Sequence, residues 1–288
     1  MTVCSLAPRS QWLTAAAVVL VITGTGVTPM AGAESYAWTD RVAAAGDTLA
    51  TRFPLPAGFQ RVAVAPGSFA AWLRGLPLQP EDAPVLLFDG RPKWTQAVHL
   101  AVVAIDTGTR DLQQCADAVM RLRAEWLYAS EQAAAIGFDY TNGAHVPFSR
   151  WAKGERPTAK GSKVHWRRSK KPDRSHAALR AYLDNIFTYA GTYSLAREMD
   201  PVPPRAMQIG DVFIQGGFPG HAVLVADMAE NAETGERRFL LLQSFMPAQD
   251  IHVLRGPVPA SPWYPVAFGD ELQTPEWTFS SSDLKRWR

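Results

Sequence analysis

The segment from residue 207 to 244 limits what this chain can fold into more than any other. Two apolar runs, 222–226 (AVLVA) and 239–242 (FLLL), flank the turn-rich stretch 230–236 (ENAETGE), and this pattern predicts a β-hairpin with a loop longer than the tightest kinds. A third run, 211–214 (DVFI), follows Gly210 and predicts one more strand before the pair. The connection 215–220 (QGGFPG) permits sharp turns and close backbone approach, so His221 opens a strand beside a glycine-rich lip. With Ala229 placed opposite Glu236, stepping back along both strands brings His221 near Gln243 or Ser244. A side-chain amide beside an imidazole holds it in one tautomer and orientation, as a general base requires.

A nucleophile is missing from that pair, and the cysteine count supplies a candidate. Of the two cysteines, Cys4 lies in a leader-like segment: Arg9, an apolar run over 12–22, then the small-residue site Ala31-Gly32-Ala33. This pattern predicts a secretory signal peptide over residues 1–33 and an exported, periplasmic or extracellular protein. No other segment is long and apolar enough to span a bilayer, so no integral membrane span is expected after cleavage. Cys115 would then be the lone thiol in oxidising surroundings, either buried and inert or kept for its reactivity.

Around Cys115 the sequence reads as a helix. The polar turn 106–111 precedes residues 112–127, Asp111 or Thr109 is the expected N-cap, and Cys115, Val119, Leu122 and Trp126 share one face. A thiol in the first turns of a helix meets unpaired N–H groups and the positive end of the helix dipole, which predicts a pKa below the free value of about 8.5. Cysteine, histidine and a polar residue in this chain order supply the parts of thiol-based acyl transfer, which predicts the Cys115 sulfur within about 4 Å of a His221 ring nitrogen.

The remaining chain reads as scaffold, with residues 34–288 forming one α+β domain. Helical spacing extends weakly over 34–55, residues 59–64 alternate as a strand, and Ser68 caps a short helix over 69–74 that ends at Gly75. Strands are expected at 85–88, 97–105 and 250–254, and a helix after Ser175 carries Leu179, Tyr182, Leu183, Ile186 and Phe187 on its apolar side. Residues 150–174 are basic and poor in apolar side chains, and read as an inserted solvated loop, with a docking site for anionic envelope polymer or phospholipid as the alternative. The aromatic, proline-rich tail 261–279 is expected to wrap the core without regular structure.

Charge excludes little. The 29 basic and 27 acidic residues become 28 against 27 once the leader with Arg9 is removed, so net charge points to no nucleic-acid partner. No metal-ligand spacing and no phosphate loop occurs, and no cofactor is expected. His99 reads as a hydrogen-bonded core residue, and His252 could flank the site but has no motif behind it.

The pair Gly210-Asp-Val-Phe-Ile214 and Gly220-His-Ala-Val-Leu-Val225 resembles the paired-strand signature of bacterial cell-wall cysteine peptidases and amidases of the NlpC and CHAP kind. The resemblance implies a papain-like α+β fold with an antiparallel sheet, a helix-borne nucleophile matched by Cys115, a base matched by His221, and a third catalytic residue matched by Gln243. Gln114, Gly220 and Ser244 fall beside these three and are assigned to substrate binding. A peptide or peptidoglycan-derived substrate is implied. The chain departs from the pattern in having Gln114-Cys115-Ala116 in place of Asp-Cys-Ser, and in the 106 positions between Cys115 and His221. Residues 111–125 and 243–249 also resemble a family of bacterial exported proteins described only as a domain of unknown function, which supplies no activity. The same residues suit a transglutaminase-like acyl transferase, and a buried, silent Cys115 suits a non-catalytic envelope protein.

Overall fold

A computed structural model of the chain describes residues 1–2, 36–39 and 47–288. The leader expected over 1–33, with Cys4, and most of the helical pattern expected over 34–46 lie outside the described residues. Within them the chain is a mixed α/β protein whose strand pairings are antiparallel.

The labelled strands are β1 (His99–Val102), β2 (Met199–Pro201), β3 (Val212–Gln215), β4 (His221–Glu230), β5 (Arg237–Gln243), β6 (His252–Leu254), β7 (Glu271–Gln273), β8 (Thr278–Ser280) and β9 (Leu284–Trp287). The main sheet runs β1-β6-β5-β4-β3-β9-β2, with two-residue strands added against β4 and β5. Its centre, β3 to β5, is the segment that the apolar runs predict.

Strand β4 is buried along nine of its ten residues, which is why it reads as a continuous apolar run rather than an alternating one. Its side chains still alternate. Ala222, Leu224 and Ala226 enter one core with the helices α1 (Phe69–Arg74), α2 (Cys115–Ala129) and α3 (His176–Tyr189). Val223, Val225 and Met228 enter a second core with Phe213, Phe239, Leu241, Leu272 and Phe279. Each large apolar side chain removed from water in this way contributes about 1.5–3 kcal/mol before chain entropy is counted.

The hairpin register differs from the expected one by two residues: Ala229 pairs with Arg238, not Glu236. The loop explains the difference. Asn231 closes it on itself, its Oδ1 accepting from Glu233 N–H at 3.0 Å and its N–H donating to Glu236 O at 2.8 Å, so pairing restarts only at Arg237. A register shift between Leu240 and Leu241 follows, and it changes the pairing on the way to His221.

Three other expectations are corrected. The basic tract is not a loop: Glu155–Lys160 and Lys163–Arg168 form their own hairpin, with the Arg150 guanidinium 4.1 Å from the Trp166 ring and that of Arg156 3.8 Å from Trp151. Arginine stacking supplies apolar cover where the sequence shows only charge. The tail is ordered, with β7 and β8 paired and β9 inserted in the main sheet beside β3. Residues 85–88 make isolated bridges rather than a strand.

Candidate functional site

The helix α2 begins one turn later than expected. Its N-cap is Gln114, whose N–H donates to Asp117 Oδ2 at 3.0 Å, while Asp111 Oδ1 accepts from Gln114 Nε2 at 3.0 Å and from Ala248 N–H at 2.7 Å. Cys115 is therefore the first helical residue, and it is 6% exposed. Its sulfur lies against the backbone N–H of Ala222 on β4, the residue after His221. The expected drop in thiol pKa is reversed: burial first, and then the Asp117 carboxylate, push the thiol up to about 12 against the opposing pull of the Ala116, Ala222 and Cys115 N–H groups. A helix N-terminus favours a thiolate only where water or a counter-charge also reaches it, and Asp117 sits in the same first turn.

His221 is 1% exposed. Continuing the pairing of Leu242 with Leu224 sets Phe245 opposite His221, and the two rings are 4.7 Å apart. Gln243 is then the diagonal neighbour, and its Oε1 is 2.9 Å from His221 Nε2. Trp277, at 5.3 Å, and Phe279, at 5.8 Å, cover the ring. Burial, assisted by the charge of Lys93 and opposed by the hydrogen bond to Gln243, lowers the His221 pKa to about 4.

The structure thus brings His221 and Gln243 together and leaves Cys115 beside them. No hydrogen bond joins the sulfur to the imidazole among the described residues. Strand alternation turns Ala222 toward the core that α2 enters, and the His221 ring packs against Phe279 of the second core.

The other residues assigned to the site divide. Gln114 and Gly220 line a cavity of about 180 Å³ over Cys115, together with Asp111, Thr192, Phe218 and Met246. Gly220 is required there, because a Cβ would come within 2.6 Å of Gly217 O and 2.7 Å of Gln215 O. Ser244 is fully buried outside that cavity's lining, and its hydroxyl donates to Gln249 O at 2.8 Å or Gln113 O at 3.2 Å.

Sequence reasoning misses Lys93, Phe245, Glu276 and Trp277, and offers His252 only as a residue that could flank the site. Lys93 is 6% exposed and paired with Glu276 at 2.7 Å, and Gln243 reaches both Glu276 and His252. The His252 pKa is lowered to about 3, mainly by burial. Only the aromatic content of the tail hints at Trp277, since these contacts span long stretches of chain. Among the described residues no group of three or more His, Cys, Asp or Glu is placed to hold a metal ion, and no helix is long and apolar enough to cross a membrane.

A mixed α/β protein with mostly antiparallel sheets and a thiol, an imidazole and an amide gathered at one end of its central hairpin is the class that fold and site define. The chain belongs to the family described as domain of unknown function (4846), whose family model matches residues 49–286. No curated protein and no solved structure matches the chain.

Proposed function

We propose that this protein is a cysteine hydrolase of the peptidase or amidase class, with Cys115 as nucleophile, His221 as general base and Gln243 orienting the ring. The observation that carries the reading is the His221 Nε2 to Gln243 Oε1 hydrogen bond of 2.9 Å, at the residue whose following N–H touches the Cys115 sulfur. An amide oxygen only accepts, so Nε2 carries the ring proton and Nδ1 keeps its lone pair. At neutral pH a thiol raised to about 12 and an imidazole lowered to about 4 are both uncharged.

The reaction then starts from a neutral pair. The proposed reaction includes a movement of the Cys115 and His221 side chains that brings the sulfur from the Ala222 N–H to Nδ1. The sulfur attacks the amide carbonyl carbon as Nδ1 takes the thiol proton, and the imidazolium returns that proton to the leaving amine. Water, deprotonated by Nδ1, attacks the thioester and releases the acid and the thiol. The order Cys, His, polar group supports a papain-like arrangement, and the leader-like first 33 residues support export. A peptidoglycan stem peptide suits both, with the exposed basic hairpin in contact with anionic envelope polymer.

The test is incubation of the purified protein with peptidoglycan fragments, followed by mass spectrometry. Cleavage of one amide bond is expected, with Cys115→Ala lowering the rate by about 10³-fold or more. Equal products from wild type and Cys115→Ala would end the reading. An aminolysis product on adding a primary amine would redirect it to acyl transfer. One observation favours a second reading, a non-catalytic binding or structural protein of the envelope: the thiol is buried and raised in pKa, as a silent core cysteine is.

A further inference from the structure

The polar groups behind Gln243 form a hydrogen-bond chain whose direction is set by chemistry. Lys93 Nζ lies 2.7 Å from Glu276 Oε1 and 2.8 Å from Oε2, and an ammonium only donates. Glu276 Oε2 is 2.7 Å from the Gln243 amide, and a carboxylate paired with an ammonium only accepts, so the amide presents its nitrogen to Glu276. The amide oxygen then faces His221 Nε2. His252 confirms the sense: its Nδ1 is 2.8 Å from Asp250 O and must donate, which leaves its Nε2 lone pair toward the Gln243 nitrogen at 3.4 Å. Every group in the chain is satisfied in this one arrangement.

We infer that Lys93 and Glu276 are positioning residues that lock the Gln243 amide and, through it, hold His221 in the tautomer with Nδ1 unprotonated. Neither residue touches the reacting atoms. With the carboxylate removed, only the long 3.4 Å contact to His252 Nε2 holds the amide, and it turns its N–H groups toward His221. Nε2 then accepts, the ring proton moves to Nδ1, and the nitrogen needed as base is blocked. Trp277, next in the chain to Glu276, covers the same ring at 5.3 Å, so one short segment both sets the proton and excludes water from it. Lys93 is 6% exposed, and the side chain of Glu276 is 16% exposed, so the pair acts in surroundings where charge-assisted bonds are strong. The tautomer assignment stands on these contacts alone, and its effect on catalysis rests on the hydrolase reading above.

The test is ¹⁵N NMR of the histidine ring nitrogens in the intact protein at pH 7, for wild type, Glu276→Ala and Lys93→Gln, with thermal melts to show that each is folded. In wild type, His221 is expected to carry its proton on Nε2. Glu276→Ala is expected to shift most of the population to Nδ1–H and to lower kcat about tenfold or more, with KM within about twofold. Lys93→Gln keeps the carboxylate and gives a smaller change in the same direction, which preserves the test if Glu276→Ala does not fold. A wild-type ring protonated on Nδ1, or a tautomer unmoved in both variants, would overturn the inference. A tautomer that moves as expected in a protein with no hydrolytic activity would uphold the lock and overturn the hydrolase reading.

Discussion

The two faces of β4 differ in what they do with a proton. On the helix side, Ala222, Leu224 and Ala226 meet an apolar layer, and Cys115 is held as a neutral thiol by burial and by Asp117. On the other side, the apolar layer of Val223 and Val225 gives way at the end of the strand to His221, Gln243, His252, Glu276 and Lys93, all hydrogen-bonded or paired. Burial is nearly the same on both sides. Partners differ, and they decide whether a buried polar group is silent or oriented.

The largest expected effect tests whether both faces are true core. Leu224→Ala on the helix side and Leu241→Ala on the other should each cost about 2–5 kcal/mol in urea unfolding. A cost under about 1 kcal/mol on one side would show that face to be a cover rather than a core.

The second effect is pH dependence, and it belongs to the polar face. The folded His221 pKa, about 4, lies below the ordinary 6.5, so the unfolded chain binds the proton first. The stabilisation is therefore complete above about pH 6.5 and is lost as pH falls toward 4, by an amount on the order of 3 kcal/mol. His221→Phe should flatten the stability profile in this window. An unchanged slope would assign it to other groups, of which His252 is the first candidate.

A smaller loss is expected from Gln243→Leu, which leaves His221 Nε2 without its partner and Glu276 with Lys93 alone. About 1–3 kcal/mol should appear in thermal or urea unfolding. The smallest effect sharpens the thiol side: Asp117→Asn removes the second cause of the raised pKa and leaves burial, so the Cys115 alkylation profile should move to lower pH and stay above that of free cysteine.

Local physics was legible in the sequence. The Ser68 cap and the helix of Phe69–Arg74, the buried face of α2 through Cys115, Val119 and Leu122, and the Ser175-capped α3 all follow from spacing and capping. The meeting of His221 with Gln243 also follows, although the assumed register was two residues off, because a diagonal neighbour tolerates that slip. Tertiary properties were not legible. The thiol pKa depends on burial and on Asp117 more than on the helix end. Lys93 and Glu276 are 183 positions apart, and no local pattern joins them. The basic hairpin is hidden because Trp166 packs under the Arg150 guanidinium and reaches the main core with few apolar neighbours in its own stretch of sequence.

The partition of protons across β4 is tested most directly by the pH profile of Cys115 alkylation with iodoacetamide in the folded protein. A neutral, buried thiol raised to about 12 predicts a rate that climbs without a plateau through the alkaline range, with His221→Ala leaving the profile in place. A plateau near neutral pH that His221→Ala abolishes would contradict it, since that is the behaviour of a thiolate and an imidazolium already in contact.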